Sequence, residues 1–162
     1  MIAVVKNFAT LIGRDLLVAS DFEDIGQSIA IRIARRTTRG VDFEGDAFTE
    51  YSDGYRIQKA KEVGAGPVNL TLSGQMLNDI KVTAATERSC ELGFSTFGKG
   101  SRRGTMVQRS RSMGANDKAF YATEGSHGVR RQFFELSDED EQFVADVVER
   151  LIDERLGNEG AA

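Results

Sequence analysis

The sequence predicts an α+β domain: a small, mostly antiparallel sheet with an N-terminal and a C-terminal amphipathic helix packed on it, plus a long flexible loop. Three observations predict it. Apolar residues recur at helical spacing as Phe22, Ile25, Ile29 and Ile33, and again as Phe143, Val144, Val147, Val148, Leu151 and Ile152. Between them, Ile80, Val82 and Ala84, then Cys90, Leu92 and Phe94, alternate with other residues as half-buried strands do. The stretch 97–116 keeps neither period and is rich in Gly, Ser and Arg, the composition of a long mobile loop. With 162 residues, 40% of them hydrophobic, the chain fits one domain with a genuine core. That domain is expected over 1–156, with 157–162 as a disordered tail.

Each element has a local reason. Phe8, Leu11, Ile12 and Leu16 predict a first short amphipathic helix. Ser20 and Glu23 have the spacing of a capping box for a helix over 20–38. Arg32, Arg35, Arg36 and Arg39 crowd its far end, where cations suit the helix dipole, and Gly40 ends it in the left-handed conformation. Residues 40–67 read as a turn-rich connection whose aromatics, Phe43, Phe48, Tyr51 and Tyr55, pack on the rest. Val68 to Leu72 alternates as a strand, and Gln75 to Asn78 makes one helical turn. Ala119 to Ala122 is a short helix, and Val129 to Phe134 a last strand. Ser137 caps the final helix over 137–156, whose first turn is acidic, and Gly157 stops it.

Chemistry is scarce in this composition. One Cys (Cys90) excludes an internal disulfide and any thiolate-rich zinc site. Cys90, the single His127 and the adjoining Ser126 could form a nucleophile–base pair only if the fold brought them together, which no motif requires. Asp138, Glu139, Asp140 and Glu141 are contiguous, so a helix splays them around its axis instead of converging them on a metal. Gly98-Lys99-Gly100-Ser101 lacks the spacing of a phosphate-binding loop. The expectation is no catalytic residue, no metal and no cofactor. Met1 to Lys6 has no signal-peptide pattern and no apolar run is long enough for a membrane span, so a cytoplasmic product or particle component is expected.

The net charge of −4 hides a separation. Lys99, Arg102, Arg103, Arg109 and Arg111 occupy thirteen residues without an acid. From Glu135 to Glu159 there are ten acids and two arginines, a net of −8. Such separation favours contact between oppositely charged surfaces of partners. Partner-binding candidates are therefore Lys99, Arg102, Arg103, Arg109 and Arg111 on one side and Asp138, Glu139 and Glu141 on the other. The alternative use of the 99–111 loop is to neutralise nucleic-acid phosphates, against which the acidic pI of about 5.1 argues.

Two ordered signatures carry a resemblance. One is Gly40-x-Asp42-x-x-Gly45-x-Ala47-Phe48-x-x-Tyr51-Ser52-x-x-Tyr55-x-x-x-Lys59, followed by Val68-Asn69-Leu70-Thr71-Leu72-Ser73-Gly74-Gln75-Met76-Leu77. The other is Arg131-Gln132-Phe133-Phe134-Glu135-Leu136-Ser137-Asp138-Glu139-Asp140. Together they resemble tailed-bacteriophage tail-completion proteins, the group of Mu-like virion-morphogenesis proteins and lambdoid head–tail components. The resemblance covers roughly 40–156; the Gly/Ser/Arg-rich stretch after Phe94 is longer than the family pattern. It implies a structural virion protein of the neck, present in the host cytoplasm during assembly. Such a protein forms a homo-oligomeric ring of six, with a head connector or adaptor on one side and the tail tube or tail terminator on the other. Genomic DNA then passes nearby in the channel, and no membrane is involved.

Overall fold

The computed structural model describes residues 3–5, 16–71, 75–94, 114–125 and 129–159. The chain is α+β, with the elements β1 (Ala3–Val5), α1 (Ala19–Arg39), α2 (Asp53–Val63), α3 (Gln75–Asn78), β2 (Ile80–Ala85), β3 (Cys90–Phe94), α4 (Ala115–Glu124) and α5 (Asp138–Glu159). The sheet runs β1-β3-β2, antiparallel throughout. Ile80 pairs with Phe94 and Val82 with Leu92, but a bulge then pairs Ala84 with Glu91 and Ala85 with Cys90. The extra residue turns Ala84 outward and Ala85 inward, so the expected inward alternation fails at Ala84.

α1 covers the sheet with the predicted stripe: Phe22, Ile25, Ile29 and Ile33 are all buried. Gly26 lies on that face and lets helix and sheet approach closely, since a Cβ there would sit 2.6 Å from Val82 Cγ2 and 2.9 Å from Cys90 Sγ. The helix starts before the expected capping box. Val18 is the N-cap, and its amide donates to Asp21 Oδ2 at 2.7 Å; Ser20 and Glu23 are not the capping pair, because starting at Ala19 places Asp21 at the third helical position. Gly40 ends α1 as expected, at φ 89° with its amide bonded to the Thr37 carbonyl at 3.0 Å. Leu16 precedes the helix, and its carbonyl accepts from Arg155 of α5. The predicted helix around Phe8 to Ile12 lies outside the described residues.

Three segments differ from the sequence reading. The 40–67 connection contains α2, which buries only Lys59 and therefore has no apolar stripe to read. Residues 68–71 are not a strand: Leu70 adopts φ 53°, a left-handed conformation that breaks the extended run. Residues 129–134 form no strand among the described residues. They are held instead by Arg131, whose amide donates to the Ala122 carbonyl at 2.8 Å and whose guanidinium donates to the Thr49 and Glu50 carbonyls at 2.9–3.1 Å. Phe133 and Phe134, both buried, then lock against Phe94, with ring centroids 6.4 and 4.8 Å away.

The loop expected to last to residue 116 ends earlier, because α4 begins at Ala115, with Asp117 Oδ2 accepting from the Gly114 amide at 3.3 Å. Residues 97–113 lie outside the described residues. α5 packs mainly against α1 rather than directly on the sheet, burying Val144 and Val148 with Phe143, Val147, Leu151 and Ile152 half-buried. It continues through Gly157 to Glu159, since Gly157 keeps a helical backbone and costs only about 1 kcal/mol there.

At the start of α5, the Asp140 amide donates to Ser137 Oγ and the Ser137 amide donates to Asp140 Oδ2, each at 3.2 Å. Ser137→Ala removes one half of this reciprocal cap and is expected to lower unfolding free energy by about 1 kcal/mol, read from the urea midpoint, with the circular dichroism spectrum retained. An unchanged midpoint would show that the hydroxyl contributes nothing.

Candidate functional site

The C-terminal half of α1, the turn 41–45 and the start of α5 enclose a cleft of about 710 Å³. Arg32, Arg35, Arg36 and Arg39 line one wall, and Leu136, Ser137, Asp138, Glu139 and Asp140 another. Successive arginines alternate between two jobs. Arg32 and Arg36, one turn apart, reach Asp140: Nε of Arg32 lies 2.6 Å from Oδ1 and Nη1 of Arg36 lies 2.5 Å from Oδ2. Asp140 is 1% exposed, so this is an ion triad joining α1 to α5 with a buried carboxylate at its centre and Arg32 at its solvent edge. Burial alone pushes its carboxyl up, but bonds from Arg32, Arg36 and the amide and hydroxyl of Ser137 together hold it below the usual carboxylate range. Arg36 also donates to the Glu135 carbonyl at 2.7 Å, and Arg32 lies 4.9 Å over the Phe143 ring.

Arg35 and Arg39 form the second pair. Both are exposed, and neither has a carboxylate partner among the described residues. Sequence reasoning assigned all four arginines to the helix dipole and missed this division. The signal was present as two i,i+4 pairs set three residues apart, which place their heads on adjacent helix faces.

Of the acidic candidates, Asp138, Glu139 and Glu141 are all exposed. Asp138 and Glu139 line the cleft opposite Arg35 and Arg39 of the same chain, and Glu141 does not line it. Lys99, Arg102, Arg103, Arg109 and Arg111 lie outside the described residues, as do Ser126 and His127. Cys90 is fully buried under α1, and burial pushes its thiol up, away from the reactive thiolate. Among the described residues there is no cluster of three or more potential metal ligands, and no helix is long and apolar enough to cross a membrane.

A second polar cluster is built around Tyr51. Lys59 Nζ donates to Asn69 Oδ1 at 2.9 Å and lies 4.8 Å over the Tyr51 ring, and Arg131 lies 5.0 Å over the same ring. The Tyr51 hydroxyl accepts from the Leu70 amide at 3.2 Å. Burial lowers the Lys59 pKa, and burial together with neighbouring Tyr51 pushes Tyr55 up to about 12. These groups pin the 68–71 loop to α2. Arg131 reaches the same ring from the segment before α5, so polar side chains, in place of a strand ladder, tie these segments together.

Compared with models of known protein families, with curated proteins and with solved structures, the chain matches none.

Proposed function

We propose that this chain is a non-catalytic structural subunit of a phage neck, joining the head connector to the tail tube and acting as copies in a closed ring. The observation that carries the reading is the distribution of charge. The buried charged side chains, Asp140 and Lys59, are engaged in holding elements together, Asp140 through Arg32 and Arg36 and Lys59 through Asn69. The excess charge is displayed instead: Arg35 and Arg39 on α1 face Asp138 and Glu139 of α5 across one open cleft, and Glu141 is exposed outside it. A subunit that closes a ring head-to-tail needs two unlike surfaces on one rigid body. The Phe133-Phe134-x-Leu136-Ser137 step that carries the family resemblance is also used as scaffolding, with two buried rings followed by a capped helix.

The basic run 99–111 supplies a further cationic segment with no acid of its own. Replacing Arg102, Arg103, Arg109 and Arg111 with Ser is expected to leave the domain folded, to impair joining of separately prepared heads and tails, and to make the remaining joining less sensitive to salt. Joining at the wild-type rate and with the wild-type salt dependence would overturn this role for the run. Unimpaired joining combined with a lost, steeply salt-dependent affinity for DNA would assign the arginines to phosphate binding instead.

A further inference from the structure

We infer that a groove on the outer face of α1 receives a second copy of this chain, which inserts the aromatic pair Phe120 and Tyr121 of its α4. The inference rests on the assembly role above and names the surfaces through which copies meet. The groove, of about 650 Å³, lies between α1 and the segment joining α3 to β2. Its lining is apolar at Ala30, Ile31, Ala34, Leu77 and Ile80, and Ile31 is 52% exposed. Its charged residues are Arg35, Arg39 and Lys81, and no acidic side chain lines it among the described residues. An apolar surface beside cations alone selects an apolar ligand flanked by carboxylates.

α4 presents such a ligand. Phe120 and Tyr121 are 59% and 53% exposed, with their rings edge-on at 5.9 Å. Asp117 and Glu124 fall three residues before and three after the pair, at the i, i+3, i+4, i+7 spacing of one helix face. That face reads acid, aromatic, aromatic, acid; Glu124 is its exposed carboxylate, while Asp117 is half-buried and accepts from the Gly114 amide. The outer stripe of α5, Gln142, Asp146, Glu149 and Asp153, would match the cations but brings no apolar side chain until Leu156. α4 matches both parts of the groove. Since the groove and the aromatic pair are different patches, each copy can give one and receive the other, which is a head-to-tail contact.

The test is sedimentation equilibrium of the full chain and two surface variants. Ile31→Glu with Lys81→Glu spoils the groove, and Phe120→Ser with Tyr121→Ser removes the insert. Each is expected to weaken self-association about tenfold or more. Mixed in equal amounts they should pair again, because one retains the aromatics and the other the groove, but grow no further than a dimer. If a variant loses its circular dichroism spectrum, Ile31→Ser or Phe120→Ser alone replaces it. A wild-type chain that stays monomeric at its highest soluble concentration overturns the inference, as does a mixture that fails to pair. Self-association unchanged in both variants overturns the groove but leaves the assembly role standing, since that role is read separately in the joining assay.

Discussion

Asp140→Ala is expected to destabilise the domain by about 3–5 kcal/mol, the cost of removing one member of a buried ion cluster. The reason is what remains. The Arg36 side chain is only 11% exposed, so without the carboxylate its charge stays buried with carbonyl oxygens as its remaining partners. Arg32 is 36% exposed and can turn to water, so it contributes less to the loss. The same substitution removes half of the reciprocal cap on α5. Urea unfolding gives the number, and a loss below about 1 kcal/mol would show that water relieves the stranded arginine. Replacing Asp140 and Arg36 together by apolar residues is expected to cost less than Asp140→Ala alone, because no buried charge is then left over. The sign of the pH dependence follows. The carboxyl is held below its ordinary range in the folded state, so its contribution is fully present above that range and is lost progressively as pH falls from there through the lowered folded value.

Gly26→Val is expected to cost about 3 kcal/mol or more, at the upper end for overpacking a core. A first added carbon already meets Val82 Cγ2 at 2.6 Å and Cys90 Sγ at 2.9 Å, and valine adds two methyl groups beyond it. Relief requires α1 to lift from β2 and β3, which would loosen Phe22, Ile25 and Ile29 with it. Gly26→Ala separates the opposing effects, since alanine favours the helix by about 1 kcal/mol while crowding the sheet. In a Val82→Ala background the nearer contact is gone, so Gly26→Ala should cost less there than in the wild type. Thermal unfolding of the four chains measures this, and equal costs in the two backgrounds would refute the contact.

By itself the sequence determined the elements whose signal is local and repeated: α1 and α5, α3, the pairing strands β2 and β3, and the caps at Gly40 and Ser137. A buried stripe must recur every turn or every second residue, and a cap must satisfy the orphan amides or carbonyls of a helix end within about four residues, so both leave a short-range imprint. It did not determine α2, the bend at Leu70 or the course of 129–134, because side chains distant in the chain hold them. Arg131 bonds Thr49 and Glu50, and Lys59 meets Asn69, neither with any period. The arginines show the same boundary. Their positions were legible, but tertiary packing alone decided that Asp140, more than a hundred residues away, would be buried against Arg32 and Arg36 and leave Arg35 and Arg39 exposed. A buried charge must find its counter-charge wherever the folded chain brings one, and that distance is not written in any local pattern.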